Sequence, residues 1–143
     1  MRETTNEWDT EPSRVEWKDE ATGYACLLVR NESMGNLCGY VAVPPGHPAH
    51  GKPYDDVEVS VHGGLTYAHA CQGDICHAPE PGEPDNVYWF GFDCAHAYDL
   101  MPLMAERERE RGWPAMGEPG VYRNVAYVQA ECASLARQLK ELA

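Results

Sequence analysis

The chain has 143 residues, 43% of them apolar, which is enough for one domain with its own core and too apolar for a disordered segment. Its 23 acidic and 11 basic residues give a formal charge of −12, which repels nucleic-acid phosphate and argues against direct DNA or RNA binding. No run reaches the roughly eighteen apolar residues of a membrane span, and MRETTNEWDTEPSR lacks the basic start and apolar centre of a signal peptide, so the expected setting is the cytoplasm of a bacterial host cell, away from membranes.

Residues 1–13 are polar and aperiodic and read as a flexible tail, with Trp8 as the residue able to dock. Residues 14–143 read as a single α+β domain. Val15-Glu16-Trp17 predicts a short strand, and the nearly continuous apolar run Tyr24 to Arg30 a central one. Leu37 to Val43 predicts a third, and the turns between them an antiparallel meander. The loop PPGHPAHGKPY follows; its four prolines exclude helix and central strand, and His47 and His50 in it are candidate ligand contacts.

Val57, Val59 and Val61 alternate with polar residues, the period of a half-buried strand. Gly63-Gly64 interrupts that run, and Leu65 to Ala68 resumes it. A second long loop then leads to the apolar run Val87 to Phe92, which stops at Asp93-Cys94-Ala95-His96. Leu100 to Arg111, containing ERERER, predicts a helix with a solvated face, and residues 112–120 a turn-rich connector. Val121, Val125, Val128, Cys132, Leu135, Leu139 and Leu142 recur at alternating spacings of four and three, one apolar stripe on a helix of about six turns. The predicted architecture is an antiparallel sheet meander of about five to six strands, with the long C-terminal amphipathic helix packed on one face. The same stripe would also suit a homodimeric coiled coil.

Residues 57–99 carry four of the six histidines and three of the six cysteines. Without a secretory signal, reduced thiols are expected; Cys26, Cys38 and Cys132 sit among apolar residues as small buried hydrophobes. Cys71, Cys76, His77, Cys94 and His96 offer the thiolate and imidazole donors of a zinc site that would tether the second loop, with His62 able to replace one member. A catalytic reading of nearby residues uses His62, Asp93, Cys94 and His96, with a Cys94 thiolate activated by an imidazole that a carboxylate orients. Alternatively, His62, Asp93, His96 and Asp99 hold a divalent metal for hydrolysis. The Gly63 and Gly64 amides could form an anion nest, and Tyr67 and Trp89 the aromatic wall of a small-ligand pocket. All of these readings require the Gly63-Gly64 bend and the Asp93-to-His96 corner to meet.

The segments GYVAVPPGHPAHGKPYDD, VHGGLTYA, ICHAPEPGEPDNVYWFGFDCAHA and YRNVAYVQAEC resemble a group of small proteins of bacteriophages, prophages and bacteria whose function is unassigned. The resemblance spans roughly residues 24 to 140 and implies a small acidic accessory protein of phage type. The resulting expectation is a His/Cys/Asp site at one sheet end that binds a metal, zinc by donor type, or a small ligand. One alternative is an acidic inhibitor that engages a basic host protein surface; another is a small Cys/His or metal-dependent hydrolase.

Overall fold

The computed structural model describes residues 6–112 and 120–143; most of the predicted connector lies outside them. Five strands form one antiparallel sheet: β1 (Arg14–Lys18), β2 (Ala25–Arg30), β3 (Leu37–Val43), β4 (Tyr67–Ala70) and β5 (Tyr88–Asp93), ordered β1-β2-β3-β5-β4. Two longer helices follow, α2 (Pro102–Glu110) and α3 (Val125–Leu142), and a single-turn helix, α1 (Glu7–Thr10), precedes the sheet. The fold is α+β. The first three strands make the meander, and β5 then enters between β3 and β4.

The β3–β5 ladder sets Gly39 opposite Phe92 and Tyr40 opposite Gly91. Each glycine makes room for an aromatic ring. A Cβ on Gly39 would strike the Phe92 ring and Cys132 Sγ, and one on Gly91 would strike the Tyr40 ring. With the space above Gly39 free, α3 lies close over β2 and β3. Val128, Cys132, Leu135 and Leu139 are fully buried against Cys26, Leu28, Val41, Val43, Phe90 and Phe92. The apolar stripe is therefore covered by the chain's own sheet, leaving no seam for the predicted coiled-coil dimer. Val121 precedes the helix and is exposed, as is Leu142 at its end. Among the described residues, no helix is long and apolar enough to cross a membrane.

The opposite face of the sheet buries Leu27, Ala42, Val87 and Trp89, with Ile75 packed against them from the loop after β4. A Cys71–Cys76 disulfide closes this loop. Arg14 of β1 donates to the carbonyls of Asp74 (2.6 Å) and Cys76 (2.7 Å), pinning the loop across the sheet. Zinc is not what tethers it. Disulfide sulfurs carry no thiolate to offer a metal, and His77 lies edge-on to Trp89 at 5.3 Å. The disulfide departs from the reduced thiols expected for the chain, and the other four cysteines are free thiols.

Val57 to Val61 belongs to none of the strands, and Val59 N–H instead donates to the Val57 carbonyl (3.2 Å) in a tight local turn. Its alternation comes from packing one side on the core beneath α3. The main chain bonds to helix side chains: Ser60 N–H donates to Gln138 Oε1 (2.7 Å), Gln138 Nε2 donates to the Ser60 carbonyl (2.8 Å), and His62 N–H donates to Glu131 Oε1 (2.7 Å). A segment with one covered side shows the burial period of a strand here without a ladder.

The described part of the predicted tail is docked. Trp8 packs edge-on to Tyr122 at 5.1 Å, and Glu11 accepts hydrogen bonds from the Tyr122 hydroxyl (2.6 Å) and Val125 N–H (2.9 Å). Asn124 accepts from Tyr127 N–H at 2.8 Å. Two amides at the start of α3 are thereby satisfied by side chains.

Candidate metal centre

Strand β5 delivers the chain to a tight corner, where Asp99 N–H donates to the His96 carbonyl (2.9 Å). The next step of backbone is fixed by a parallel bridge: Leu100 N–H donates to the Val121 carbonyl and Val121 N–H to the Tyr98 carbonyl, each at 2.9 Å. Gly120 approaches the Asp99 main chain so closely that no side chain would fit. These constraints aim a completely buried Asp99 carboxylate inward, with its side chain 0% exposed.

Two imidazoles converge on that carboxylate. His62 Nε2 lies 3.0 and 2.9 Å from its two oxygens, and His96 Nδ1 is 2.9 Å from Oδ2. His96 N–H also donates to Oδ2 (3.1 Å), and Arg123 Nε donates to Oδ1 (2.9 Å). His62 comes from the bend at Gly63-Gly64, so the two predicted tips do meet. Gly63, at φ +68°, leaves the space that the His96 ring occupies. His62, His96 and Asp99 each offer a ligand atom, all within 4.8 Å of one another, a buried group able to hold a metal ion.

The outward side of each candidate ligand is also engaged. Tyr127 hydroxyl stands 2.7 Å from His62 Nδ1, and Asp93 Oδ1 stands 3.5 Å from His96 Nε2. Burial on its own pushes the Asp99 carboxyl up, but the hydrogen bonds from His62, Arg123 and His96 outweigh it and hold the group below its ordinary value. Asp99 is therefore an ionised acceptor at neutral pH, the state in which a carboxylate ligates metal.

Cys94 stands beside this cluster but does not join it. It is buried, and its thiol is pushed far up, by burial first and by Asp99, Cys38 and Asp93 next. As a protonated thiol it is not the predicted nucleophile, and its sulfur is not among the ligand atoms that converge with those of His62, His96 and Asp99. Gly64 N–H is already bonded to the Val61 carbonyl (2.8 Å), so the predicted two-amide nest is reduced to at most one free amide. Tyr67 and Trp89 belong to the opposite face of the sheet, where Tyr67 meets Tyr40 edge-on and Trp89 is buried, so they do not line this site.

The two loop histidines are held by backbone. Ala49 N–H donates to His47 Nδ1 (2.9 Å), which leaves the proton on Nε2, and this donates to the Leu139 carbonyl (2.7 Å). Buried His47 thus satisfies one of the orphan carbonyls at the end of α3. His50 Nε2 bonds to the Asn86 carbonyl (2.8 Å), joining the two long loops.

Arg123, Tyr127 and Glu131 were not singled out by sequence. Tyr127 and Glu131 lie four apart on α3 beside the apolar stripe, and Arg123 stands four residues earlier, just before the Asn124 cap. That spacing was the available signal. Comparison with protein-family models, curated proteins and solved structures finds no match to the chain.

Proposed function

We propose that the chain is a metal-binding protein whose His62, His96 and Asp99 hold one divalent transition ion, zinc by donor chemistry. Two borderline imidazoles and one hard carboxylate make a mixed donor set that suits zinc and neighbouring divalent transition ions. The observation that carries the reading is the completeness of the surrounding shell. His62 has Tyr127 on its far nitrogen, His96 has Asp93, and Asp99 has Arg123. Metal-binding histidines and carboxylates are oriented by such outer partners.

The hydrogen bonding also suits a shift of both imidazole tautomers on metal binding. With Asp99 ionised, His62 Nε2 and His96 Nδ1 carry the ring protons. An ion on those two nitrogens would move each proton to the far nitrogen, where Tyr127 and Asp93 accept it. No net charge is buried on the imidazoles. Three protein ligands leave a coordination position open, as in centres that bind water or a substrate, whereas purely structural sites are closed by four. By resemblance, the proposed setting is that of a small accessory protein of phages and bacteria.

The test is metal analysis of protein purified without added zinc, followed by titration with zinc and cobalt(II). One ion per chain is expected, abolished in Asp99→Ala and His62→Ala but retained in Cys94→Ala. A folded protein that takes up neither ion stoichiometrically overturns the reading.

A further inference from the structure

Arg123 meets Asp99 through Nε alone. Among the described residues, no acceptor is found for its two η nitrogens, and the side chain keeps 20% exposure. The guanidinium is nevertheless held in place, 5.0 Å over the Tyr127 ring and 5.8 Å over the Tyr98 ring. Tyr98 is 51% exposed and stacks on His96 with 9° between the ring planes. Asp99 and His62 lie behind these groups, both buried. The solvent side of the cluster is thus formed by His96, Tyr98 and Arg123.

A pre-positioned guanidinium bonded to Asp99, whose η nitrogens meet no acceptor among the described residues, is built to receive a pair of oxygens. The start of α3 does not compete for that role, because Asn124 and Glu11 already occupy its amides. We propose that the centre binds an oxoanion, a phosphate or carboxylate group, with one oxygen on the metal's open position and another on the Arg123 η nitrogens. This rests on the metal-binding reading above and names the class of ligand taken there. Tyr98 forms the apolar side of the seat, so an anion attached to a flat or apolar group would bury that group on the exposed ring.

The experiment uses the full chain loaded with one equivalent of cobalt(II), whose visible spectrum reports its coordination sphere. Inorganic phosphate and acetate are titrated separately, with calorimetry in parallel. The expected result is a saturable spectral change with at least one of the two, and the comparison between them shows which oxoanion geometry the seat prefers. The metal-free protein should bind the same anion about tenfold more weakly or not at all. Arg123→Gln and Arg123→Lys should lower cobalt affinity, as the loss of an outer partner of Asp99 does, so they are compared at saturating cobalt. There the anion should still bind more weakly by about tenfold or more, because neither retains a free fork beside Asp99. Cobalt uptake without any response to either anion overturns this proposal and leaves the metal centre standing. Unweakened anion binding in both arginine variants overturns the role of Arg123. Failure to take up cobalt at all is the separate failure of the metal reading, and this proposal falls with it.

Discussion

The imidazole of His96 occupies the volume that a side chain on residue 63 would need: a Cβ built on Gly63 falls onto that ring. Gly63 has φ +68° as well, a conformation L side chains rarely adopt. Gly64, at φ +83°, has open space where its Cβ would be. The pair therefore separates two effects of one substitution. Gly63→Ala and Gly64→Ala should each cost about 1–2 kcal/mol from the left-handed backbone. Only Gly63→Ala should also displace His96 and weaken metal binding. Denaturant melts alongside zinc titrations check this, and equal zinc affinity in the two variants would remove Gly63 from the account of the site.

The outer partners lead to a graded prediction. Tyr127→Phe keeps the ring against His62 and Arg123 but deletes the hydroxyl 2.7 Å from His62 Nδ1. Zinc affinity should fall about 10- to 100-fold, the usual cost of an outer-shell loss, while zinc stoichiometry stays at one. Asp99→Asn should be harsher. A neutral amide cannot accept from His62, His96 and Arg123 as a carboxylate does, so both zinc uptake and stability should drop. Competition against a chromophoric chelator measures both variants.

Much of this candidate centre is legible in the sequence, and the reasons differ from residue to residue. Asp93, His96 and Asp99 fall within seven residues, so one corner was bound to hold them near each other. His62 precedes a Gly-Gly pair, and a positive-φ bend is where a strand-like segment can turn back onto the sheet. Which sulfur and nitrogen atoms would join was not legible. Cys94 and His96 are two residues apart, yet one is buried beneath β3 with its thiol suppressed and the other faces the cluster. Local spacing does not distinguish them; tertiary burial does. Val57 to Val61 illustrates the same limit for the fold, because a hydrophobic period reports a chain with one covered side and not what forms the cover. Gln138, nearly eighty residues on, supplies the bonds a neighbouring strand would have made.

The disulfide distinguishes the tether of the second loop from the metal centre. Cys71→Ser combined with Cys76→Ser should leave zinc stoichiometry and affinity unchanged, since neither sulfur belongs to the cluster. Stability should fall by about 2 kcal/mol, the chain-entropy value for so short a loop, moderated by the Arg14 clamp that remains. Loss of zinc from this double variant would return the loop cysteines to the ligand set.

His47 offers the opposite control, a histidine with no part in metal binding. Both its nitrogens are used on backbone groups inside the protein, at Ala49 and Leu139. His47→Ala leaves a buried amide and a helix-terminal carbonyl without partners, and the expected loss is about 1–3 kcal/mol. Zinc content should be that of the wild type. Hydrogen exchange should quicken in the last turn of α3, and unchanged protection there would mean that His47 does not hold that end.

The buried thiols set an alkaline limit on stability. Burial chiefly, with nearby carboxylates adding to it, pushes Cys38 up to about 11 and Cys26 up to about 12, against an ordinary thiol value of 9.0. In the unfolded chain both ionise near that ordinary value, whereas in the fold they keep their protons to higher pH. A group whose folded pKa is raised contributes stability that is complete below the unfolded value and is lost as pH rises toward the folded one. Stability should therefore hold to about pH 9 and decline through pH 11 to 12, where the folded thiols ionise in turn. Cys26→Ala should be less stable at neutral pH because of the small cavity it leaves, and its stability should fall less steeply above pH 9 because one contributor to the slope is gone. Urea midpoints at a series of pH values compare the two slopes. Parallel curves for wild type and variant would mean that Cys26 ionises in the fold as it does in the open chain.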